Sequence, residues 1–394
     1  MKWSDKGHEL DKYGEKLVQD FRNKEEKIFI FGAGLLGEEY RPLFEKLGCF
    51  AGYIDNDRKK QESGVCGVRV LSLEEYFQEG NRGIIVIAAD EKNIPAIKQQ
   101  LCRAGLKERE DFYTYMNFMK TVYPVLSTYF YNQFYVELAQ ICLTERCSLK
   151  CKACAHACYA VDAKSPDMSL EMAEESADSF FGKVDLIKEF VLIGGEPFLY
   201  KELDKIIAYI GERYRDKMIT FAITTNGTIM PDQSVLDLCR KYRVLIRISN
   251  YSAELKYLKK KYARLKEELE RNKITYILGG SDYHWMDYGF ETLDRGGKEE
   301  ELIRVFDRCK TPCREIRGSR YYYCVMARSV SDNLGFGLGK EDYLDLEKIG
   351  KEDKKVLLEF EMGYSDKGYL EMCNHCNGAD AVNHPLPVAE QLPR

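Results

Sequence analysis

Three thiols fall within a few residues of one another at Cys147, Cys151 and Cys154, immediately after the apolar run Val136 to Leu143. A chain that gathers three cysteines at the end of a strand must fold around whatever they hold. A C-x3-C-x2-C triplet can take three corners of a cubane [4Fe–4S] cluster, which leaves the fourth iron without a protein ligand. An open position on a metal centre marks reactivity, whereas a closed one tends to be structural. Zinc is the competing reading, since it takes four ligands and Cys158 or His156 could complete the set. Three features favour the cluster: the strand before the triplet, the unequal spacing and the glycine turn Gly194-Gly195-Glu196-Pro197 at the end of the next strand.

The bulk properties bound the rest. A chain of 394 residues exceeds one ordinary core and predicts two or three domains. A formal net charge of −5 argues against nucleic acid or an anionic membrane as partner. No apolar run approaches a membrane span and no signal-like segment opens the chain, so a cytoplasmic protein is expected. Fourteen cysteines in such a setting point to metal binding or catalysis rather than disulfides. Cys49, Cys66, Cys102 and Cys239 are isolated and read as core fillers; the others gather around the triplet and between Cys309 and Cys376.

The fold class expected is α/β: an N-terminal Rossmann-like parallel sheet, a partial (β/α)6 TIM-type barrel, then a small cysteine-rich cluster domain. A polar helix covers 1–25. Lys27 to Phe31 reads as a strand, followed by Gly32-Ala33-Gly34-Leu35-Leu36-Gly37 and an amphipathic helix; Phe50 to Ile54 is a second strand ending at Asp55, and Ile84 to Ala88 a third. This domain spans 26–120, and a tyrosine-rich packed linker covers 121–135. From 136 to 295 strands and helices alternate again, with strands at Val136–Leu143, Phe190–Ile193, Ile219–Thr224, Val244–Ile248 and Ile274–Leu278. Each ends in a polar motif, at the strand end where parallel α/β sheets bind ligands. The mixed-sign stretch from Glu254 to Lys273 reads as a solvated helix. Residues 296–394 form the last domain.

The triplet and the GGEP turn together resemble the radical S-adenosylmethionine (SAM) superfamily. The resemblance implies that SAM chelates the open iron and is cleaved to a 5′-deoxyadenosyl radical. It places Gly194, Gly195, Glu196 and Pro197 at the methionine amino group, Asn226 at the third-strand segment, and Ser249 near the ribose and carboxylate contacts. The family has a bulky residue before the third cysteine where this chain has Ala153, so adenine packing must come from elsewhere. A thiol often supplies the returning hydrogen atom in epimerases of this class; Cys158 is the catalytic candidate, and Cys142 reads as core. His156, His284 and Trp285 are candidates to meet SAM or substrate.

Cys313, Cys324, Cys373 and Cys376 resemble the ligands of SPASM or twitch auxiliary-cluster domains and number enough for one further [4Fe–4S] cluster, with Cys309 a fifth or an alternative to Cys313. A four-thiolate zinc site satisfies the same residues. In the N-terminal domain Gly32, Gly34 and Gly37 form GxGxxG between a strand and a helix, with Asp55 at the distance of a ribose-binding acid. With Ile54-Asp55-Asn56-Asp57 and Gly67-Val68-Arg69-Val70 they resemble the small nucleotide-binding modules of bacterial glycan-pathway enzymes. That implies a nucleotide or nucleotide-sugar there, or a domain kept for packing alone.

The function expected is hydrogen abstraction from a carbon of a sugar or nucleotide-linked small molecule, leading to oxidation or epimerisation, with reduced flavodoxin or ferredoxin as electron donor. The alternatives are a radical SAM peptide-modifying maturase and, outside that class, a zinc-stabilised nucleotide-binding regulatory protein.

Overall fold

Four consecutive buried apolar residues, Ile28–Phe31 (β1), can be satisfied only in the middle of a sheet covered on both faces. The structure, a computed structural model, places them there; it describes residues 1–3, 8–162, 164–309 and 311–393. The chain divides into two compact units, Gly7–Phe134 on one hand and Met1–Lys6 with Tyr135–Arg394 on the other.

In the first unit β1 pairs in parallel with Phe50–Ile54 (β2) and Ile84–Ile87 (β4). Val70–Leu71 (β3) and Phe112–Thr114 (β5) complete a five-stranded parallel sheet in the order β3-β2-β1-β4-β5. Gly32 and Gly37 have packing reasons. Gly32 lies at φ +119, and a Cβ there would sit 2.2 Å from the Ala88 carbonyl oxygen, while one on Gly37 would sit 2.1 Å from that of Gly32. The helix expected over 1–25 spans His8–Asn23, and the part expected over 4–7 lies outside the described residues.

In the second unit the five expected strands are Tyr135–Cys142 (β6), Leu186–Ile193 (β7), Met218–Thr225 (β8), Val244–Ile248 (β9) and Tyr276–Leu278 (β10). They lie side by side in parallel and in chain order. Helices Leu170–Phe181, Leu203–Tyr214, Gln233–Tyr242 and Leu258–Arg271 connect them. Ser169 caps the first by accepting the Met172 amide at 3.2 Å. The helix over Leu258–Arg271 is solvated on one face only, because Leu258, Tyr262, Leu265 and Leu269 are buried.

Trp285–Met286 (β11) lies apart from this sheet. The sixth parallel strand of the sheet, Cys313–Arg317 (β12), comes from the C-terminal region and pairs with β6, at the opposite edge from β10. Arg320–Tyr322 (β13) and Tyr343–Asp345 (β14) extend that edge antiparallel. Pro385–Leu386 (β15) pairs with β11. No described helix is long and apolar enough to cross a membrane.

The graft of β12 onto β6 is locked by charge. Arg328, on the helix Val325–Leu334, is 1% exposed and pairs with Glu315 of β12 and Glu145 beyond β6. Gln140 of β6 donates to Glu315 at 3.0 Å. Burial opposes charge on the guanidinium, but the carboxylates outweigh it and hold its pKa well above the usual value.

Two variants test these constraints. Arg328→Met leaves two carboxylates buried without their cation and is expected to cost about 3–5 kcal/mol, whereas Arg308→Met, which breaks an exposed pair with Asp380, should cost under about 1 kcal/mol; denaturant midpoints compare them. Gly37→Ala should destabilise the first unit by about 1–3 kcal/mol, and Gly34→Ala, whose Cβ meets only the Lys60 ammonium at 3.9 Å, by far less, read from amide exchange across β1 and β4.

Candidate functional site

The cluster loop leaves β6 at Cys142 and is sewn to the turn that ends β7. Gly195 N–H donates to the Thr144 carbonyl at 2.8 Å and Glu196 N–H to that of Arg146 at 2.9 Å. The approach requires glycine, since a Cβ on Gly194 would lie 2.6 Å from the Thr144 oxygen and one on Gly195 2.4 Å from the Arg146 oxygen. Arg146 is braced by a bidentate pair with Asp167.

Glu196 departs from its expected place at the methionine amino group. Its carboxylate is fully buried and faces β8, accepting the Thr225 hydroxyl at 2.7 Å, the Asn226 amide at 2.9 Å and the Phe198 amide at 3.2 Å. Burial pushes its pKa up to about 7 against these donors. It is a staple between two strand ends. Asn226 in turn reaches the cluster loop, donating from Nδ2 to Ser148 Oγ at 3.2 Å and Cys147 Sγ at 3.5 Å. Gly227, at φ +68, leaves room for the Tyr262 ring, which a Cβ would meet at 2.8 Å. The Tyr262 hydroxyl donates to Ser249 O at 2.9 Å and accepts the Tyr251 amide at 3.1 Å, so the helix over Leu258–Arg271 sets the end of β9.

Cys147, Cys151 and Cys154 lie close enough for their charges to act on one another. Burial pushes the Cys147 thiol up to about 11 and that of Cys151 up to about 12, with the neighbouring thiols adding to it. Cys154 is drawn down by the Cys158 thiol beside it, and Cys158 is driven up. Buried thiols of this kind lose their protons to a metal rather than to water. No three His, Cys, Asp or Glu side chains among the described residues converge on a point where one metal ion could sit.

Above the loop lies a cavity of about 1130 Å³. Cys154, Gly194, Gly195, Asn226 and Ser249 line one part of it; Pro197 and Cys158 are not among its walls. Cys158 is turned towards Cys154, Cys142 and Glu145 instead. His156, His284 and Trp285 line the cavity, joined by Tyr251, Tyr283 and Tyr288, which sequence reasoning did not single out. Tyr251 and Trp285 meet edge to face at 5.5 Å. The buried Nδ1 of His156 has no hydrogen-bond partner among the described residues.

The far wall carries the second cysteine set, Cys309, Cys313, Cys324, Cys373 and Cys376. Cys324, Cys373 and Cys376 belong to one buried cluster, and Cys313 packs against it. Burial drives the Cys324 thiol far up, and the charges of Cys309 and Cys376 add to it; Cys373 is pushed up to about 12 by burial, with Cys376 and Cys309 adding. Cys324 stands at the N-cap position of the helix Val325–Leu334 without a side-chain capping hydrogen bond, and the nearby Ala327 and Met326 amides oppose the rise in part. Arg295 holds the Cys373–Cys376 turn through both cysteine carbonyls, at 3.3 and 3.2 Å. Cys313 is different: burial pushes it up to about 11, and its charged neighbours are Arg314, Glu189, Glu315 and Arg247 rather than the other cysteines.

A strap missed by sequence reasoning closes the outer side of the triplet. Lys152 N–H donates to the Glu390 carbonyl at 2.7 Å and Leu392 N–H to that of Lys150 at 2.8 Å. Between them the Gln391 side chain accepts the Lys150 amide at 3.0 Å and donates to Cys151 Sγ at 3.1 Å.

In the first unit, both Asp55 oxygens are engaged. One accepts the Asp57 amide at 2.9 Å; the other accepts the Ala33 amide at 2.8 Å and pairs with Lys60 at 3.0 Å. Burial pushes the carboxyl up, but these donors outweigh it and hold it below the usual range. Asp55 braces the loop of Gly32, Gly34 and Gly37.

Residues 141–265 match the radical SAM superfamily. A GTP 3′,8-cyclase of Stenotrophomonas maltophilia is 33% identical over 92 residues, 23% of this chain and 27% of that protein. An uncharacterised protein of Methanocaldococcus jannaschii is 28% identical over 138 residues, 34% of this chain and 46% of that one. The chain thus spans less than half the length of these curated relatives. Among solved structures, BtrN in complex with AdoMet and 2-DOIA aligns over 65% of this chain and 97% of its own, at 14% identity and a TM-score of 0.36. The part of this chain that is similar to the radical SAM superfamily is thus the stretch 141–265, from the end of β6 into the helix Leu258–Arg271.

Proposed function

We propose that this protein is a radical SAM enzyme acting at a carbon–hydrogen bond of a sugar-like small molecule. The observation that carries this is one cavity walled by the triplet loop, the ends of β7, β8 and β9, and the second cysteine set. Cys147, Cys151 and Cys154 would hold a [4Fe–4S] cluster beside the cavity, and Gly194, Gly195, Asn226 and Ser249 would bind SAM. Tyr251 and Trp285 supply the aromatic surface for adenine that Ala153 lacks. A cluster and SAM bound there would supply radical chemistry able to remove a hydrogen atom from a substrate carbon.

The residues of this chain hold and shield the reactants. The ring faces of Tyr283 and Tyr288 offer a platform for the apolar face of a sugar ring, and His156 and His284 can bond hydroxyls. Arginine appears in the described lining only as Arg308, which is engaged with Asp380, and lysine does not appear. The lining therefore suits an uncharged ring better than a diphosphate. The outcome is oxidation or epimerisation, with reduced flavodoxin or ferredoxin supplying the electron.

Cys309, Cys324, Cys373 and Cys376 would ligate an auxiliary [4Fe–4S] cluster, in place of the set with Cys313. A single zinc would draw four thiolates to within about 3.8 Å of one another; a cubane holds them further apart, in keeping with thiols that couple electrostatically without converging on a point.

Anaerobic reconstitution tests both sites. The protein is expected to carry about eight irons and as many sulfides, two cubanes' worth, and to yield 5′-deoxyadenosine from SAM with dithionite; no such product would overturn the reading. Cys309→Ala should lose about four irons, while Cys313→Ala keeps them. The reverse result would restore Cys313 as the ligand.

A further inference from the structure

The C-terminal strap places an amide donor against one sulfur of the triplet. Both termini of the Gln391 side-chain amide are assigned by their partners. Oε1 accepts the Lys150 amide at 3.0 Å, while Nε2 donates to Cys151 Sγ at 3.1 Å and to the Ala389 carbonyl at 2.7 Å. A flipped amide would set an NH2 group against the Lys150 N–H and an oxygen against the Ala389 carbonyl, so only this orientation satisfies all three. The contact to Cys151 is shorter than the two N–H···S contacts to Cys147, from Leu149 N–H at 3.4 Å and Asn226 Nδ2 at 3.5 Å.

The register of the strap is set on both sides of Gln391 by the Lys152–Glu390 and Leu392–Lys150 backbone bonds. Its anchor is apolar. Val388 and Ala389 are buried, Ala389 against Leu149 and Cys151, and Cys151 is only 7% exposed. The Cys151 sulfur is thus shielded from water on this side, and the exposed Gln391 reaches it by its amide end.

We propose that Gln391 is a positioning residue that sets the reduction potential of the cluster held by the triplet, through its hydrogen bond to the Cys151 sulfur. This rests on the reading of Cys147, Cys151 and Cys154 as [4Fe–4S] ligands. An added electron makes the irons and their thiolates more negative. A neutral N–H donor aimed at a thiolate stabilises the more negative state more, and hydrogen bonds to sulfur are among the levers that set such potentials. Gln391 thus makes the cluster easier to reduce, from a segment outside the stretch 141–265.

The test uses the full chain, reconstituted anaerobically, with iron and sulfide counted and the cluster titrated by electron paramagnetic resonance. The triplet's signal is identified as the one that shifts on adding SAM. Gln391→Met keeps length and removes the donor. It is expected to retain iron and to lower the reduced-to-oxidised ratio at fixed potential about tenfold, which is about 59 mV for a one-electron couple. Gln391→Glu should lower it further, and Gln391→Lys should bring it to the wild-type value or above. Wild-type midpoints in Met and Glu variants that keep their iron would overturn the proposal. Should the Met variant lose its cluster, the Lys and Glu variants decide: equal midpoints overturn the proposal, and a higher one for Lys upholds it. A wild-type protein without iron at the triplet would instead defeat the cluster reading itself.

Discussion

The backbone stitch between the cluster loop and the GGEP turn is the contact on which the rest of the site depends. Two amides of the turn bond two carbonyls of the loop, and the approach is possible only because Gly194 and Gly195 carry no side chain. The buried Glu196 then passes the constraint sideways to Thr225 and Asn226 at the end of β8, and Asn226 returns it to Ser148 and Cys147. The circuit ties β6, β7 and β8 together at the end of the sheet where the cavity opens. It also explains why a carboxyl that never faces the cavity matters to it: removing Glu196 would leave three donors without an acceptor in a site closed to water.

A second circuit joins this region to the C-terminal half. Arg328 bridges Glu145, just past β6, to Glu315 on β12, and Gln140 completes the bridge from within the sheet. Its neighbours include Cys142 and, through Glu145, Cys158. That network accounts for the orientation of Cys158: its thiol serves the packing beside Cys154 rather than the cavity. The thiol expected from sequence to donate a hydrogen atom faces Cys154 and Glu145, and the cavity wall beside it is supplied by Cys154.

Much of the sheet was legible because buried parallel strands write short apolar runs, and Ile28–Phe31 and Val244–Ile248 stand out on that ground alone. Val70–Leu71 and Phe112–Thr114 were not, since two or three residues carry no periodicity. The glycine turns and the triplet were legible as local motifs. The partners that give them meaning were not, because each lies far away in sequence. Tyr262 sits in a stretch that reads as a solvated charged helix, yet its hydroxyl sets Ser249 and Tyr251. Gln391 lies 240 residues from the cysteine it touches, in a segment with no pattern to flag it. Spacing also could not separate Cys309 from Cys313, because the place of Cys313 on β12, in register with Leu138 of β6 and near Glu189 and Arg247, is set by residues far away in sequence.

The pairing of β12 with β6 has a consequence for how such a chain can be divided. A fragment ending near residue 295 would retain every strand from β6 to β10 and the whole triplet, yet it would strip β6 of its neighbour at Cys313–Glu315. That would bare a row of unpaired amides and carbonyls on a long, mostly buried strand, a template for adhesion to other chains. The C-terminal region therefore serves as the cover of a sticky margin as well as the bearer of its own cysteines. A lineage that dispensed with those cysteines would still have reason to retain the hairpin of β12 and β13.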